Sequence, residues 1–133
     1  MHFQVVLNLP DVTDLAQIVA LEGNITYDHG GTNTHLALDL MKQQFTSNVN
    51  NPKVAILLTD GSSFEQAKTF QSAYNAKRDG VVMFVIGIGD DVNKNEASQI
   101  SSSPDAKYLF QVSDFGALQS VADQFHKRNC TGN

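Results

Sequence analysis

Two stretches of this chain are apolar without interruption. In residues 53–63, KVAILLTDGSS, the side chains of Val54, Ala55, Ile56, Leu57 and Leu58 follow one another with no polar break, and Val81 to Ile86 repeat the pattern. Such a run predicts a strand with neither face in water, as in parallel sheets covered by helices on both sides. Both runs stop at small or polar residues, the first at Thr59, Asp60, Gly61, Ser62 and Ser63, the second at Gly87, Ile88, Gly89 and Asp90. Between them Ala67, Phe70, Ala73 and Tyr74 recur at helical spacing, Ser62 and Glu65 have the separation of a capping box, and Asp79 with Gly80 closes the helix. Two buried strands joined by a helix predict a parallel crossover unit.

The flanking pattern completes an alternating α/β chain. Phe3, Val5, Leu7 and Leu9 alternate with polar residues save at Val6, predicting an edge strand over residues 3–8, and a helix opened by Pro10 and Asp11 follows, with Val12, Leu15, Ile18 and Val19 inward and Gly23 as its stop. Gly30 and Gly31 form a turn before a second helix, for which Thr32 or Asn33 is the cap. Leu36, Ala37, Leu38, Leu40, Met41 and Phe45 spread apolar surface around much of that helix, predicting deep burial. Past the second apolar strand, a short helix begins at Asn93 with Ala97 and Ile100 inward, and residues 108–112 form a third, shorter strand. Ser113 and Asp114 start a last helix whose face is Phe115, Leu118, Val121, Ala122 and Phe125.

Composition narrows the setting. At 133 residues and 41% hydrophobic the chain is one domain by length, large enough to bury roughly two thirds of its unfolded surface. The net charge of −5, with basic residues scattered, makes nucleic acid a poor partner. No apolar run is long enough to span a bilayer, and Met1, His2, Phe3 and Gln4 do not read as the start of a signal peptide. Asn24 and Asn129 each head a glycosylation sequon, and the single cysteine, Cys130, lies close to the end, as in secreted modules that pair such a residue with a cysteine elsewhere.

Candidate chemistry gathers at strand ends, because ligands of open α/β sheets bind in the crevice beyond the carboxyl ends of the strands. Asp60 is the carboxylate at that place. Gly30 to Thr34 before a helix, Leu58 to Ser62 ending a strand, Val85 to Gly89 ending the next, and residues 108–118 together resemble the von Willebrand factor type A domain, in its order and through essentially the whole chain. The extracellular-matrix type of collagens and matrilins is the most similar flavour.

This resemblance implies a three-layer, Rossmann-like α/β fold with a mostly parallel sheet flanked by helices, and residues 3–8 as an antiparallel edge. Residues 1–133 then read as a single partial domain lacking the family's first two strands and first helix. In the family a divalent ion at the top of the sheet is held by three loops. By position Thr32 is the hydroxyl ligand of the second loop and Asp60 the carboxylate of the third, an oxygen set suited to Mg²⁺ and to a carboxylate offered by a partner protein. The Asp-x-Ser-x-Ser of the first loop has no counterpart upstream of Thr32, so the implied site is incomplete and Mg²⁺ binding feeble. Thr32 has a second reading as a helix cap only, and Ser62 and Ser63 read as a capping pair rather than ligands. His29 in the glycine turn and His35 on the following helix could be read as metal ligands, but lone histidines at such places read as solvated surface residues.

The function implied is a non-catalytic, protein-binding adhesion module of a secreted or matrix protein, with Asn24 and Asn129 glycosylated and Cys130 in a disulfide. No Gly-x-Ser-x-Gly, Cys and His pairing or acid and base carboxylate pair argues for an enzyme. Two alternatives stand beside it. One is an intracellular scaffold of the same fold within a protein complex. The other is a receiver-like phosphoacceptor built on Asp60, which calls for an acidic pair after the first strand and a later lysine. An incomplete sheet further predicts that the strand of Val54 to Leu58 keeps a bare edge, and that the isolated chain aggregates or is partly unfolded.

Overall fold

The computed structural model describes residues 32–45 and 52–129. The strand expected over residues 3–8, the helix expected after it, Asn24, His29 and Cys130 lie outside the described residues. Elements follow in the order α1 (Thr34–Gln43), β1 (Lys53–Thr59), α2 (Gln66–Arg78), β2 (Val81–Ile88), α3 (Lys94–Ile100), α4 (Asp105–Tyr108) and β3 (Leu109–Val112). A 3₁₀ turn (Phe115–Ala117) then leads into α5 (Leu118–Asn129).

The described strands form one parallel sheet in the order β1, β2, β3, with Ile56 beside Phe84 and Ile86 beside Phe110. β2 is the middle strand, and its residues are buried along nearly its whole length, as an unbroken apolar run predicts. On one face Met83 and Val85 pack with Leu38 of α1, Ala73 and Ala76 of α2, and Ala97 and Ile100 of α3. On the other face Phe84, Ile86 and Ile88 pack with Phe110 of β3 and Val121 of α5.

β1 departs from expectation. Its residues alternate in exposure, and Val54, Ile56 and Leu58 are 45%, 48% and 50% exposed. Ala55 and Leu57 pack into the α1, α2 and α3 core, whereas the opposite apolar cluster is made by β2, β3 and α5 and includes no residue of β1. The run of five apolar residues was read as burial on both faces; one face is covered and the other is half open. On the described residues β1 is also an edge strand.

α2 turns a different stripe inward from the one its hydropathy suggests. Thr69, Ser72, Ala73 and Ala76 are buried at perfect i, i+3, i+4, i+7 spacing, while Tyr74 is 60% exposed and Ala67 is exposed. Small side chains let the helix approach β2 and α1 closely, and the buried Thr69 hydroxyl is satisfied by donating to the Glu65 carbonyl at 3.2 Å and by a hydrogen bond of 3.0 Å shared with the Ser63 hydroxyl. Gly80, with φ of +91°, ends the turn after α2 in the left-handed region, as a closing glycine should. α1 is shallower than its composition implies, for only Leu38 among its leucines is buried and Leu36 is 41% exposed. α3 follows the sequence reading, with Ala97 at 2% and Ile100 at 1% exposure. The start of the last helix does too, since Asp114 Oδ1 accepts from the Ala117 amide at 3.0 Å. On its face Val121 is buried and Leu118 packed, Ala122 is exposed, and the side chains of Phe115 and Phe125 lie outside the described residues.

Candidate functional site

Parallel strands deliver their carboxyl ends to one side of the sheet, so the residues after β1 and the residue before α1 meet there. Thr32 accepts, through its carbonyl, a hydrogen bond of 2.8 Å from the Phe64 amide, which ties the segment before α1 to the loop after β1. Thr32 also lines a cleft of about 230 Å³ with Ala37, Leu57, Leu58 and Thr59, the last being the residue before Asp60. Thr32 and Asp60 are both exposed, and neither side chain makes a hydrogen bond to another described residue. The two loops are therefore brought together, with the Thr32 hydroxyl and the Asp60 carboxylate making no side-chain hydrogen bond among the described residues.

Neither expected cap forms at α1. Asn33 holds the N-cap position without a side-chain cap bond, and Thr32 does not supply one. The capping box expected of Ser62 and Glu65 is likewise absent. α2 starts at Gln66 with Glu65 at its N-cap and no side-chain cap bond. The Glu65 carboxylate turns instead to Lys68 at 2.9 Å and faces His35 Nε2 at 3.7 Å. His35 is not the surface residue its sequence context suggests. It is 8% exposed, and its buried Nδ1 has no hydrogen-bond partner among the described residues.

Ser63 is buried at 6% exposure, and its amide donates to both carboxylate oxygens of Glu96, at 2.9 and 3.0 Å. Glu96, itself 5% exposed, belongs to the first turn of α3. Its own amide donates to Asn93 Oδ1 at 3.1 Å, and the Asn93 amide donates to the Gly61 carbonyl at 3.4 Å. This carboxylate was missed in the sequence, although Asn93 and Glu96 carry the three-residue spacing of a capping pair. The partner of Glu96 lies 33 residues away, which no local pattern reveals.

The oxygen donors at hand are of the hard type that suits a divalent cation. Among the described residues no group of three or more His, Cys, Asp or Glu is placed to hold a metal ion.

Residues 2–124 match the model of the von Willebrand factor type A domain. Matrilin-1 of Bos taurus is 35% identical over 118 residues, covering 85% of this chain and 21% of matrilin-1. The collagen alpha-1(XII) chain of Notophthalmus viridescens is 31% identical over 112 residues, covering 80% of this chain and 12% of that collagen. The chain thus spans a small part of the curated relatives it matches. Among solved structures, proximal thread matrix protein 1 of the mussel byssus, with a zinc-occupied MIDAS motif, superposes with a TM-score of 0.85 at 23% identity, covering 96% of this chain and 33% of that one. Manganese-loaded TRAP protein of Plasmodium vivax superposes at 0.59 with 25% identity over 84% of this chain and 46% of that one.

Proposed function

This chain belongs to the von Willebrand factor type A family, and from that membership we propose that it is a non-catalytic protein-binding module of a secreted or matrix protein. In this reading its partner, a protein offering a carboxylate, docks where Thr32 and Asp60 lie. The observation that carries the reading is the meeting of their loops at the carboxyl end of β1, with both side chains exposed and unbonded among the described residues. Thr32 and Asp60 would hold a divalent ion through their side-chain oxygens. An ion there supplies positive charge that a partner carboxylate can complete. The chain's own part is to present the two oxygens from loops tied together by the Phe64 amide and the Thr32 carbonyl. Glycans at Asn24 and Asn129 and a disulfide from Cys130 to a cysteine outside this sequence belong to the same reading.

Two protein oxygens leave the ion weakly held, so calorimetric titration with Mg²⁺ is expected to give no saturable heat. Mn²⁺, whose unpaired electrons broaden nearby NMR signals even at low occupancy, is the sharper probe. Selective broadening at the amides of Asp60, Gly61 and Thr32, lost in Asp60→Ala, supports the site. Broadening spread evenly over the surface acidic residues, or unchanged in Asp60→Ala, overturns it.

A further inference from the structure

We propose that Glu96 is a positioning residue for the loop that presents Asp60, acting through the backbone of Ser63. The proposal rests on the reading of Asp60 as part of the contact site, but its structural half is tested separately. A carboxylate is costly to bury unless it is paired or hydrogen-bonded, and Glu96 is 5% exposed with no ion pair among those the described residues form. Packing alone would be served better by an apolar residue of the same size. What the carboxylate gains is a charge-assisted bond, since both its oxygens lie within 3.0 Å of the Ser63 amide nitrogen.

The link is doubled in the opposite sense. The Asn93 amide donates to the Gly61 carbonyl, while Asn93 Oδ1 accepts from the Glu96 amide and so aims the Glu96 side chain. On its other flank the loop is joined to α2 by the bond from Thr69 Oγ1 to Ser63 Oγ. Gly61 and Ser63 are therefore stapled to α3, and Ser63 to α2 as well. Asp60 is the residue between the end of β1 and the first staple, so its direction is set by where α3 holds the loop.

Amide hydrogen exchange on the full chain, comparing wild type with Glu96→Ala and Glu96→Gln, tests this. In Glu96→Ala, exchange at Ser63 is expected to rise about 10- to 100-fold more than at Met83 and Val85 of β2, the range set by one hydrogen bond to a charged acceptor. Glu96→Gln keeps an acceptor oxygen and should restore most of the protection. Mn²⁺ broadening at Asp60 should weaken in Glu96→Ala and return in Glu96→Gln. Equal acceleration at Ser63 and in β2, or Glu96→Gln behaving like Glu96→Ala, overturns the positioning role. If Glu96→Ala does not fold, Asn93→Ala, which removes the group that aims Glu96, should produce the same loop-selective change, and its absence also overturns the role. A wild-type chain that shows no broadening at Asp60 sinks the metal reading alone, because the exchange comparison still decides the staple.

Discussion

Gly87 shows how tightly the strand ends are built. A Cβ placed there would lie 2.8 Å from Val92 Cγ1, and Val92 is a stiff, β-branched, buried side chain that has little room to turn aside. Gly87→Ala is expected to cost about 1 to 3 kcal/mol in denaturant unfolding, as overpacking does, and Val92→Ala in the same chain should return part of that loss. A different residue-scale effect is electrostatic. The ammonium of Lys42, hydrogen-bonded to Asp79 at 2.6 Å, holds the Asp79 carboxyl below the usual carboxylate value, with Arg78 adding to it. A carboxyl whose folded value is lowered stabilises the fold above its unfolded value, near about pH 4, and loses that contribution as pH falls through the folded value. The stability difference between wild type and Asp79→Asn should therefore be present at neutral pH and shrink in acid, as unfolding curves at pH 7 and pH 3 would show.

At the scale of elements, β1 and β2 look alike in sequence and differ in what a polar substitution does. Val85 is fully buried, so Val85→Thr leaves a hydroxyl without water and is expected to cost about 1 to 3 kcal/mol. Ile56 is 48% exposed, so Ile56→Thr should cost less than about 1 kcal/mol by the same measurement. The parallel pairing of β1 with β2 was legible from two apolar runs joined by a helix, and the inward Ala97 and Ile100 of α3 from their helical spacing. The exposed face of β1 was not. Hydropathy records what a strand would gain by burial, and only the tertiary arrangement says which helix arrives to provide it. The stripe of α2 was misread for a related reason. Thr69 and Ser72 look polar, yet they are small and, for Thr69, fully hydrogen-bonded, which makes them better contacts for a close-packed helix than Phe70 or Tyr74. The pairing of Thr32 with Asp60 is an expectation drawn from family likeness alone, and Glu96 was not legible because its partner Ser63 lies 33 residues away in the sequence.

For the whole molecule the row of Val54, Ile56 and Leu58 dominates. It is a contiguous apolar strip on a strand that is an edge of the described sheet, a surface that natural proteins usually blunt with charge or cover. Sedimentation velocity of the isolated chain is expected to show association that grows with concentration, and Ile56→Lys, on an open face, should reduce it while leaving the unfolding midpoint nearly unchanged. The same strip has a kinetic meaning. A chain returning from denaturant shows residues 54–59 to its neighbours before β2 has paired with them, and intermolecular capture competes with folding at a rate that scales with concentration. Refolding yield should thus fall on raising the protein concentration even where the native state is thermodynamically secure, and rapid dilution should recover more native fold than slow dialysis.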